Sequence, residues 1–246
     1  MTSARRAASD LHPAARGFGS AADAYERGRP DYPAAAIDFL VDRLELGPGR
    51  VVVDLAAGTG KLTRLLVPTG ADVIAVEPIA EMRAKIQGAR VLEGVAEAIP
   101  LPDESADAVT VGQAFHWFRA DEALSEIHRV LRPGGGLALV WNTRDETDPI
   151  HAAVSQILAP LERDTPRGRK SDWARVIGAT ETASFEHVQV VDEDAFVERF
   201  VSVSFVASAP DHARADVEAK LRALAREAGT PIRLPYLTDL YLAFKA

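Results

Sequence analysis

Residues 51–66 decide the fold, and they read Val51-Val52-Val53-Asp54-Leu55-Ala56-Ala57-Gly58-Thr59-Gly60-Lys61-Leu62-Thr63-Arg64-Leu65-Leu66. A run of β-branched residues ends in a carboxylate, passes through a loop of small residues with two glycines, and continues with leucines at helical spacing. The stretch therefore predicts a strand, a tight turn and a helix. Gly58 and Gly60 can adopt positive φ, and without a Cβ they let a ligand approach the backbone. We predict that a bulky ligand binds at this loop.

Two kinds of ligand use such a loop, and the side chains distinguish them. A dinucleotide fingerprint reads G-x-G-x-x-G, but counting from Gly58 places Thr63 where the third glycine belongs. The carboxylate of Asp54, just before the loop, would repel a pyrophosphate and attract a ligand with a positive charge. These features favour the cationic ligand, while an NAD-linked oxidoreductase remains an alternative.

A second strand ending in an acid follows the loop. Residues 71–78 read Ala71-Asp72-Val73-Ile74-Ala75-Val76-Glu77-Pro78, which places Glu77 17 residues beyond Gly60. A carboxylate at this strand end is positioned to accept hydrogen bonds from both hydroxyls of a ribose. Glu77 is therefore predicted to bind the ribose of a nucleoside-containing cofactor.

Composition restricts the class of protein and of ligand. With 246 residues, 47% hydrophobic and 26% charged, the chain is expected to be one soluble globular domain. The absence of cysteine excludes disulfides, thiolate metal sites and cysteine nucleophiles, and the histidines lack metal-ligand spacing. A net charge of −8 argues against a nucleic-acid partner, because nucleic-acid binding draws its affinity from basic residues on phosphates. A small-molecule partner is favoured, and no metal is predicted.

The first residues predict no targeting or membrane segment. Arg5-Arg6 has no apolar run behind it, and no stretch approaches the ~20 apolar residues that span a bilayer. We expect a cytoplasmic protein, monomeric or homodimeric, with no membrane partner. Residues 1–16 are predicted to be flexible and residues 17–246 to form one domain. Its predicted parts are a lid and helix (17–45), a cofactor-binding core (50–144), a helical cap (145–184) and C-terminal strands and helices (185–246).

Strand and helix patterns alternate along the chain. The predicted strands after the first two cover 89–95, 106–112, 137–141, 185–191 and 233–244. The predicted helices cover 34–44, 79–87, 120–131, 194–203 and 211–228. Repeated βαβ units predict an α/β fold of Rossmann-like, doubly wound type, with a mainly parallel seven-stranded sheet, helices on both faces and a small helical lid.

Three of these motifs resemble class I S-adenosylmethionine (SAM) dependent methyltransferases. Asp54-x-Ala56-x-Gly58-x-Gly60 resembles the acidic glycine-rich first motif, with Ala56 at the usual first glycine. Gly94-Val95-Ala96-Glu97-Ala98-Ile99-Pro100-Leu101-Pro102 is similar to the third-strand motif, with Val95 where an adenine-binding aspartate usually stands. Leu131-Arg132-Pro133-Gly134-Gly135 resembles the L-x-P-G-G turn before strand five.

Four further segments resemble one branch of the methyltransferase type 11 superfamily, the trans-aconitate methyltransferase-like proteins. They are Gln113-Ala114-Phe115-His116-Trp117-Phe118, residues 25–33, Ser202-Val203-Ser204-Phe205 and Leu234-Pro235-Tyr236-Leu237-Thr238. The resemblance implies SAM as cofactor, with S-adenosylhomocysteine (SAH) as product. The cofactor-binding residues that it implies, together with the loop and strand ends above, are Asp54, Ala56, Gly58, Thr59, Gly60, Glu77, Pro78, Ile79, Met82, Ala96, Glu97, Gln113, Tyr25 and Arg29.

Methyl transfer from a sulfonium is an in-line displacement, so alignment of the acceptor supplies much of the rate. His116 is a candidate base for a hydroxyl or amine acceptor, or else a pocket residue that bonds nearby backbone. Trp117 and Tyr32 are predicted to line the acceptor site or to pack in the core, and Arg144 could hold an acidic acceptor. The sequence thus predicts a small-molecule methyltransferase, directed to oxygen, nitrogen or a carboxylate. A SAM-fold protein that binds without turnover is the second alternative.

Overall fold

A computed structural model describes residues 28–162 and 173–246. Seven strands of these residues form one sheet in the order β3-β2-β1-β4-β5-β7-β6. Strands β1 to β5 run parallel, and β7 lies antiparallel between β5 and β6. The predicted mainly parallel, doubly wound sheet is confirmed. The strands are β1 Val51–Leu55, β2 Asp72–Val76, β3 Arg90–Leu92, β4 Ala106–Gly112, β5 Leu131–Arg144, β6 Glu181–Val191 and β7 Ile232–Phe244.

The described helices are α1 Ala34–Arg43, α2 Thr63–Leu66, α3 Ala80–Arg83, α4 Ala120–Val130, α5 Pro149–Glu162, α6 Trp173–Val176, α7 Glu193–Val201, α8 Ser204–Ala207 and α9 Asp211–Ala228, with 3₁₀ turns at Val67–Thr69 and Phe115–Trp117. Helix α4 shows why these sequences are helical. Its buried residues Ala123, Ile127 and Val130 recur every three or four positions, and the acidic residues Asp121 and Glu122 lie in its first turn. None of the described helices is both long and apolar enough to cross a bilayer.

The element bounds differ from the prediction where tertiary contacts decide them. The helix predicted over 79–87 covers only Ala80–Arg83, because the chain then forms tighter turns and reverses at Gly88, whose φ is +76°. Strand β3 has three residues rather than the seven predicted. Strand β5 extends beyond the predicted Trp141 to Arg144 because Tyr236 of β7 pairs with it there. Strand β6 begins at Glu181, four residues before its predicted start, by pairing with Leu242.

Three hydrophobic clusters build the domain. One packs α4 on one sheet face, and a second packs α1 on the opposite face. The third lies among α5, α7, α9 and the first half of β7, and we call these helices the cap. Since β1, β2, β4 and β5 are parallel, their carboxyl ends meet at one edge of the sheet, which the cap adjoins at the end of β5. Residues 1–16 and Tyr25, about which the sequence made predictions, lie outside the described residues.

Candidate functional site

The glycine loop after β1 has an open backbone. Gly58 and Gly60 have φ values of +60° and +87°, and Ala56 has φ +55° although it carries a side chain. A Cβ placed on Gly58 would find only the Sδ of Met82 within 4 Å, at 3.9 Å, so the loop borders open space on that side. Gly60 differs, because a Cβ there would press on Ile86 at 3.3 Å. The loop therefore leaves room at Gly58 for a ligand to contact the backbone.

Glu77 closes the same crevice from the end of β2. One carboxylate oxygen accepts the Gly58 N–H at 2.8 Å and the other accepts the Ile79 N–H at 2.9 Å. The side chain is buried, and burial raises its pKa, while these two N–H groups and the Arg83 guanidinium act in the opposite direction. The hydrogen bonds fix the carboxylate beside the loop, and each oxygen keeps a further lone pair.

Asp54 is bonded to two hydroxyl groups of the fold. It is 1% exposed, and its carboxylate accepts hydrogen bonds from Thr63 Oγ1 at 2.5 Å and Thr110 Oγ1 at 3.4 Å. Burial raises its pKa to about 7 against the effect of these hydroxyls. Asp54 thus lies beneath the loop and links β1 to α2 and β4. In its ionised form it would attract a cationic ligand bound at the loop.

The residues discussed next, most of them predicted near the adenine, come from the segments that follow β1, β2 and β3. Met82 and Ala96 are buried, Ile79 is half-buried, and the Pro78 carbonyl accepts a hydrogen bond from Arg83. The Glu97 carboxylate accepts the Arg119 N–H at 2.9 Å, which caps the start of α4. Thr59, also predicted at the cofactor site, is buried within the loop. One oxygen of Glu97 is therefore already used by the fold.

Gln113 follows β4 in a left-handed conformation, with φ +58°. Its Nε2 donates to the Asn142 carbonyl at 3.1 Å, which joins the ends of β4 and β5. A Cβ added to Gly112 would lie 2.7 Å from the hydroxyl oxygen of Tyr32. Tyr32 is 8% exposed and belongs to the core cluster around α1, so it packs beneath the strand ends.

An aromatic cluster stands beyond β4. His116 is exposed and lies 4.3 Å from the Trp117 ring and 5.4 Å from the Trp141 ring, between centroids. Trp141 stacks on Trp173 of α6 with an interplanar angle of 4°. Trp117 is half-buried and packs on the cluster of β1 and β4. The structure thus brings His116 and Trp117 together, with two tryptophans that the sequence analysis did not single out.

Residues 28–32, which we call the bridging segment, connect the crevice to the cap. The Asp31 carboxylate pairs with Lys61 at 3.1 Å and with Arg64, and the Asp31 carbonyl accepts Asn142 Nδ2 at 3.2 Å. At its other end, a Cβ on Gly28 would lie 2.7 Å from backbone atoms of Arg199. Arg29 lies half-buried in this segment, on the cap side of Asp31.

Arg144, predicted to hold an acidic acceptor, has partners of its own. Its Nη2 donates to Ser155 Oγ at 3.1 Å and pairs with Glu146 at 2.9 Å. Its guanidinium also lies 5.9 Å from the Phe200 ring centroid. Arg199 approaches the same ring from α7, at 5.2 Å, and the sequence analysis missed it. Its signal was its position in the apolar stripe of α7, between Phe196 and Phe200.

Among residues 28–162 and 173–246, no group of three histidine or acidic side chains is arranged to bind a metal ion. The carboxylates of the crevice instead bond to backbone amides and hydroxyls, as described above.

Comparison with known proteins identifies the class. The family described as "Methyltransferase domain" matches residues 53–139. An uncharacterized methyltransferase of Mycobacterium tuberculosis is 57% identical over 133 residues, covering 52% of this chain and 53% of that protein. The chain thus spans about half the length of this mycobacterial relative.

Two further proteins are similar over most of their length. An uncharacterized methyltransferase-like protein of Schizosaccharomyces pombe is 36% identical over 212 residues, covering 82% of this chain and 83% of that protein. A solved structure from Anaeromyxobacter dehalogenans, described as a candidate type II methyltransferase, has a TM-score of 0.66 and 28% identity, covering 88% of this chain and 97% of that one. The chain belongs to the methyltransferase family.

Proposed function

We propose that the protein transfers a methyl group from SAM to a small-molecule acceptor and releases SAH. The proposal rests above all on the Glu77 carboxylate, which is fixed by the Gly58 and Ile79 amides at the edge of an open glycine loop. A buried carboxylate with free lone pairs at this strand end suits the two hydroxyls of a ribose. Family membership supports the same ligand.

Residues of the crevice fit the remaining parts of SAM. Met82 and Ala96 offer buried apolar surface for a purine ring, and Gly58 lets the ligand reach the loop backbone. We propose Gln113, Pro78, Ile79, Thr59 and Glu97 as the other contacts of the crevice, with Arg29 on the bridging side. Tyr25, outside the described residues, stays a prediction from the sequence. When bound, SAM supplies a methyl group activated by a sulfonium. The Asp54 carboxylate beneath the loop, when ionised, favours such a cation.

Thr63 distinguishes this loop from a dinucleotide site. It stands at the position of the third glycine, is fully buried, and donates its hydroxyl hydrogen bond to Asp54. A dinucleotide loop has a glycine at this position so that the helix can pack closely. This loop has the Thr63 side chain there, bonded to the Asp54 carboxylate. A pyrophosphate would lie next to Asp54 and Glu77, so the geometry supports SAM over NAD.

The side chains beyond β4 are the candidates to act on the acceptor. His116 is exposed in the aromatic cluster, which leaves its ring accessible to an acceptor hydroxyl or amine. We propose that His116 takes up the acceptor proton and that Trp117 forms a wall of the acceptor site. Alignment of the acceptor by these rings would contribute much of the rate.

The test is calorimetric titration of the protein with SAM, SAH, NAD and ATP. We expect SAM and SAH to bind and Glu77→Ala to weaken SAM binding at least about tenfold, because hydrogen bonds to a charged carboxylate are each worth roughly 1.5–3 kcal/mol. Glu77→Gln keeps the shape of the side chain, so it serves as a control for a change in the conformation of the glycine loop. Glu81→Ala is the matched control, since Glu81 is exposed in the same turn and should leave affinity unchanged.

Three outcomes would contradict the proposal. Tight NAD binding without SAM binding would indicate an oxidoreductase. Unchanged SAM affinity in both Glu77 variants would mean that the ribose lies elsewhere. SAM binding without SAH release, across a broad panel of small-molecule acceptors, would indicate a binding protein without turnover.

A further inference from the structure

Arg83 holds the turn that carries Glu77. Its Nη1 donates to the Glu77 carbonyl at 2.9 Å and to the Pro78 carbonyl at 2.6 Å, so one nitrogen bonds two successive peptide units. The Glu77 carboxylate is fixed separately by the Gly58 and Ile79 amides. The backbone and the side chain of Glu77 are thus each fixed by their own hydrogen bonds.

The other end of the Arg83 guanidinium reaches the segment after β3. Nη2 donates to Glu93 Oε2 at 2.9 Å, and the Glu77 N–H donates to the Leu92 carbonyl at 3.1 Å. Arg83 therefore links the ends of β2 and β3. The Glu93 side chain is 68% exposed and the Arg83 side chain is 19% exposed, so solvent screens the charge of Glu93. Glu93 therefore does not cancel the effect of Arg83 on Glu77.

Two charged groups of neighbouring elements act on the Glu77 carboxylate. Burial raises the pKa of Glu77, while the two backbone amides and the Arg83 guanidinium oppose that effect. From β1, Asp54 acts as a like charge, and burial raises its own pKa to about 7. Arg83 thus offsets part of the cost of burial at Glu77, and it favours the ionised form that accepts hydrogen bonds from hydroxyl groups.

The residues proposed for the purine ring lie on the two segments that Arg83 links. Ile79 and Met82 come from the segment after β2, and Ala96 comes from the segment after β3. A Cβ on Gly58 would lie 3.9 Å from Met82 Sδ, so the first segment also borders the glycine loop. A shift of either segment would therefore move the ribose contact and the purine surface relative to each other.

We infer that Arg83 is a positioning residue for the cofactor, which holds the Glu77 backbone in place and supports the charge of its carboxylate for ribose binding. Arg83 acts through Glu77, because its Nη1 and Nη2 are both bonded to the fold. The affinity of the crevice for SAM then depends on a charge that does not contact SAM. This inference rests on the proposed function, since it takes the ligand of Glu77 to be the ribose of SAM.

The first experiment is calorimetric titration with SAH between about pH 6 and pH 8.5. Arg83→Met should weaken SAH binding, and the loss should grow to about tenfold towards pH 6, because without the guanidinium Glu77 becomes protonated at a higher pH. Arg83→Lys keeps the charge but not the contact with both carbonyls, so its loss should be smaller and should depend less on pH. Glu77→Gln over the same range records the contributions of Asp54 and of the ligand itself.

The second experiment needs no ligand. A double-mutant cycle of Arg83→Met and Glu77→Gln in urea unfolding, at about pH 8, measures the coupling of the two side chains in the free protein. We expect the combined effect to depart from additivity by at least about threefold in the equilibrium constant for unfolding, because each substitution removes the charge that the other residue faces.

Arg90→Met is the matched control, because Arg90 is exposed at the start of β3. It should leave SAH affinity unchanged at every pH, and its effect on unfolding should add to that of Glu77→Gln. The inference is overturned if Arg83→Met binds SAH as wild type does at about pH 6, if Arg83→Met and Arg83→Lys lose equal affinity at every pH, or if the cycle is additive. Failure of wild type to bind SAH would contradict the proposed function and the ribose role together, and the cycle would still decide whether Arg83 supports Glu77.

Discussion

The crevice and a basic cluster formed by Arg199, His151, His187 and Tyr236 treat charge in opposite ways. In the crevice, the buried acids Asp54 and Glu77 have hydrogen bonds on both carboxylate oxygens from within the fold. In the basic cluster, within residues 28–162 and 173–246, the Arg199 side chain donates one hydrogen bond, and His151 Nε2 and His187 Nε2 have no partner. The first region is complete before a ligand arrives, and the second has donors left over.

This difference indicates how the two regions use binding energy. Carboxylates held by the backbone are already oriented, so a ligand that meets them pays little to order the site. Donors without partners raise the free energy of the unliganded protein, and a ligand that satisfies them recovers that cost.

The largest expected effect tests whether chemistry is separate from both regions. His116→Ala should reduce methyl transfer by about 10²–10⁴, because a positioned base contributes on that scale, while SAH affinity stays within a few fold. Turnover and SAH titration of the same preparation provide the measurement. Unchanged turnover would show that His116 is an ordinary surface residue. An equal loss of SAH affinity would show that it binds the cofactor.

A second prediction sharpens the contrast through pH. The pKa of Asp54 is raised to about 7 by burial, so the folded protein holds this proton more tightly than the unfolded chain. The contribution of Asp54 is therefore complete at low pH and is lost as pH rises from about 4 to about 7, with a slope of at most about 1.4 kcal/mol per pH unit. Asp54→Asn should remove that slope, so its stability relative to wild type should rise with pH in urea unfolding.

Asp107→Asn is the control with the opposite sign. Burial acts to raise the pKa of Asp107, but hydrogen bonds from the Val51 amide and Arg132 and the charge of Arg50 lower it below its ordinary value. Its contribution is present at neutral pH and is lost as pH falls through the lowered value, below about pH 4. A relative stability of Asp54→Asn that does not change between pH 4 and 7 would contradict the assignment.

The smallest expected effect concerns the glycine loop backbone. Ala56 carries a side chain at φ +55°, where an L-residue is strained. Ala56→Gly should relieve that strain and stabilise the protein by roughly 0.5–1 kcal/mol, with SAH affinity retained. Ala57→Gly, outside the positive-φ positions, should destabilise it instead. Equal shifts in the two unfolding midpoints would show that Ala56 is not strained.

The sequence predicted the parts of the molecule that depend on local order. Residues 51–77 carry their strands, their turn and the acid at the end of β2 within one short stretch, so both the element types and the position of Glu77 follow from periodicity and glycine placement. Ala56 and Asp54 show the limit of this reasoning. Their place at the loop was predicted, but the strain of one and the buried partners of the other depend on neighbouring strands.

The basic cluster could not be predicted in the same way. Arg199, His151 and Tyr236 come from α7, α5 and β7, and they meet only because β7 inserts between β5 and β6. Each residue alone resembles an ordinary helix or strand residue. Their meeting is a property of the packed structure, which no spacing in the chain encodes.

The aromatic cluster gives the protein a built-in optical reporter. The chain has three tryptophans, and Trp117, Trp141 and Trp173 all lie around His116. Because Trp141 stacks on Trp173, the ultraviolet emission of both residues depends on the same local environment. Tryptophan fluorescence therefore reports the surroundings of His116, while the basic cluster contains no tryptophan and contributes nothing to that emission. One unlabelled cuvette measurement can thus show whether an acceptor reaches the aromatic rings.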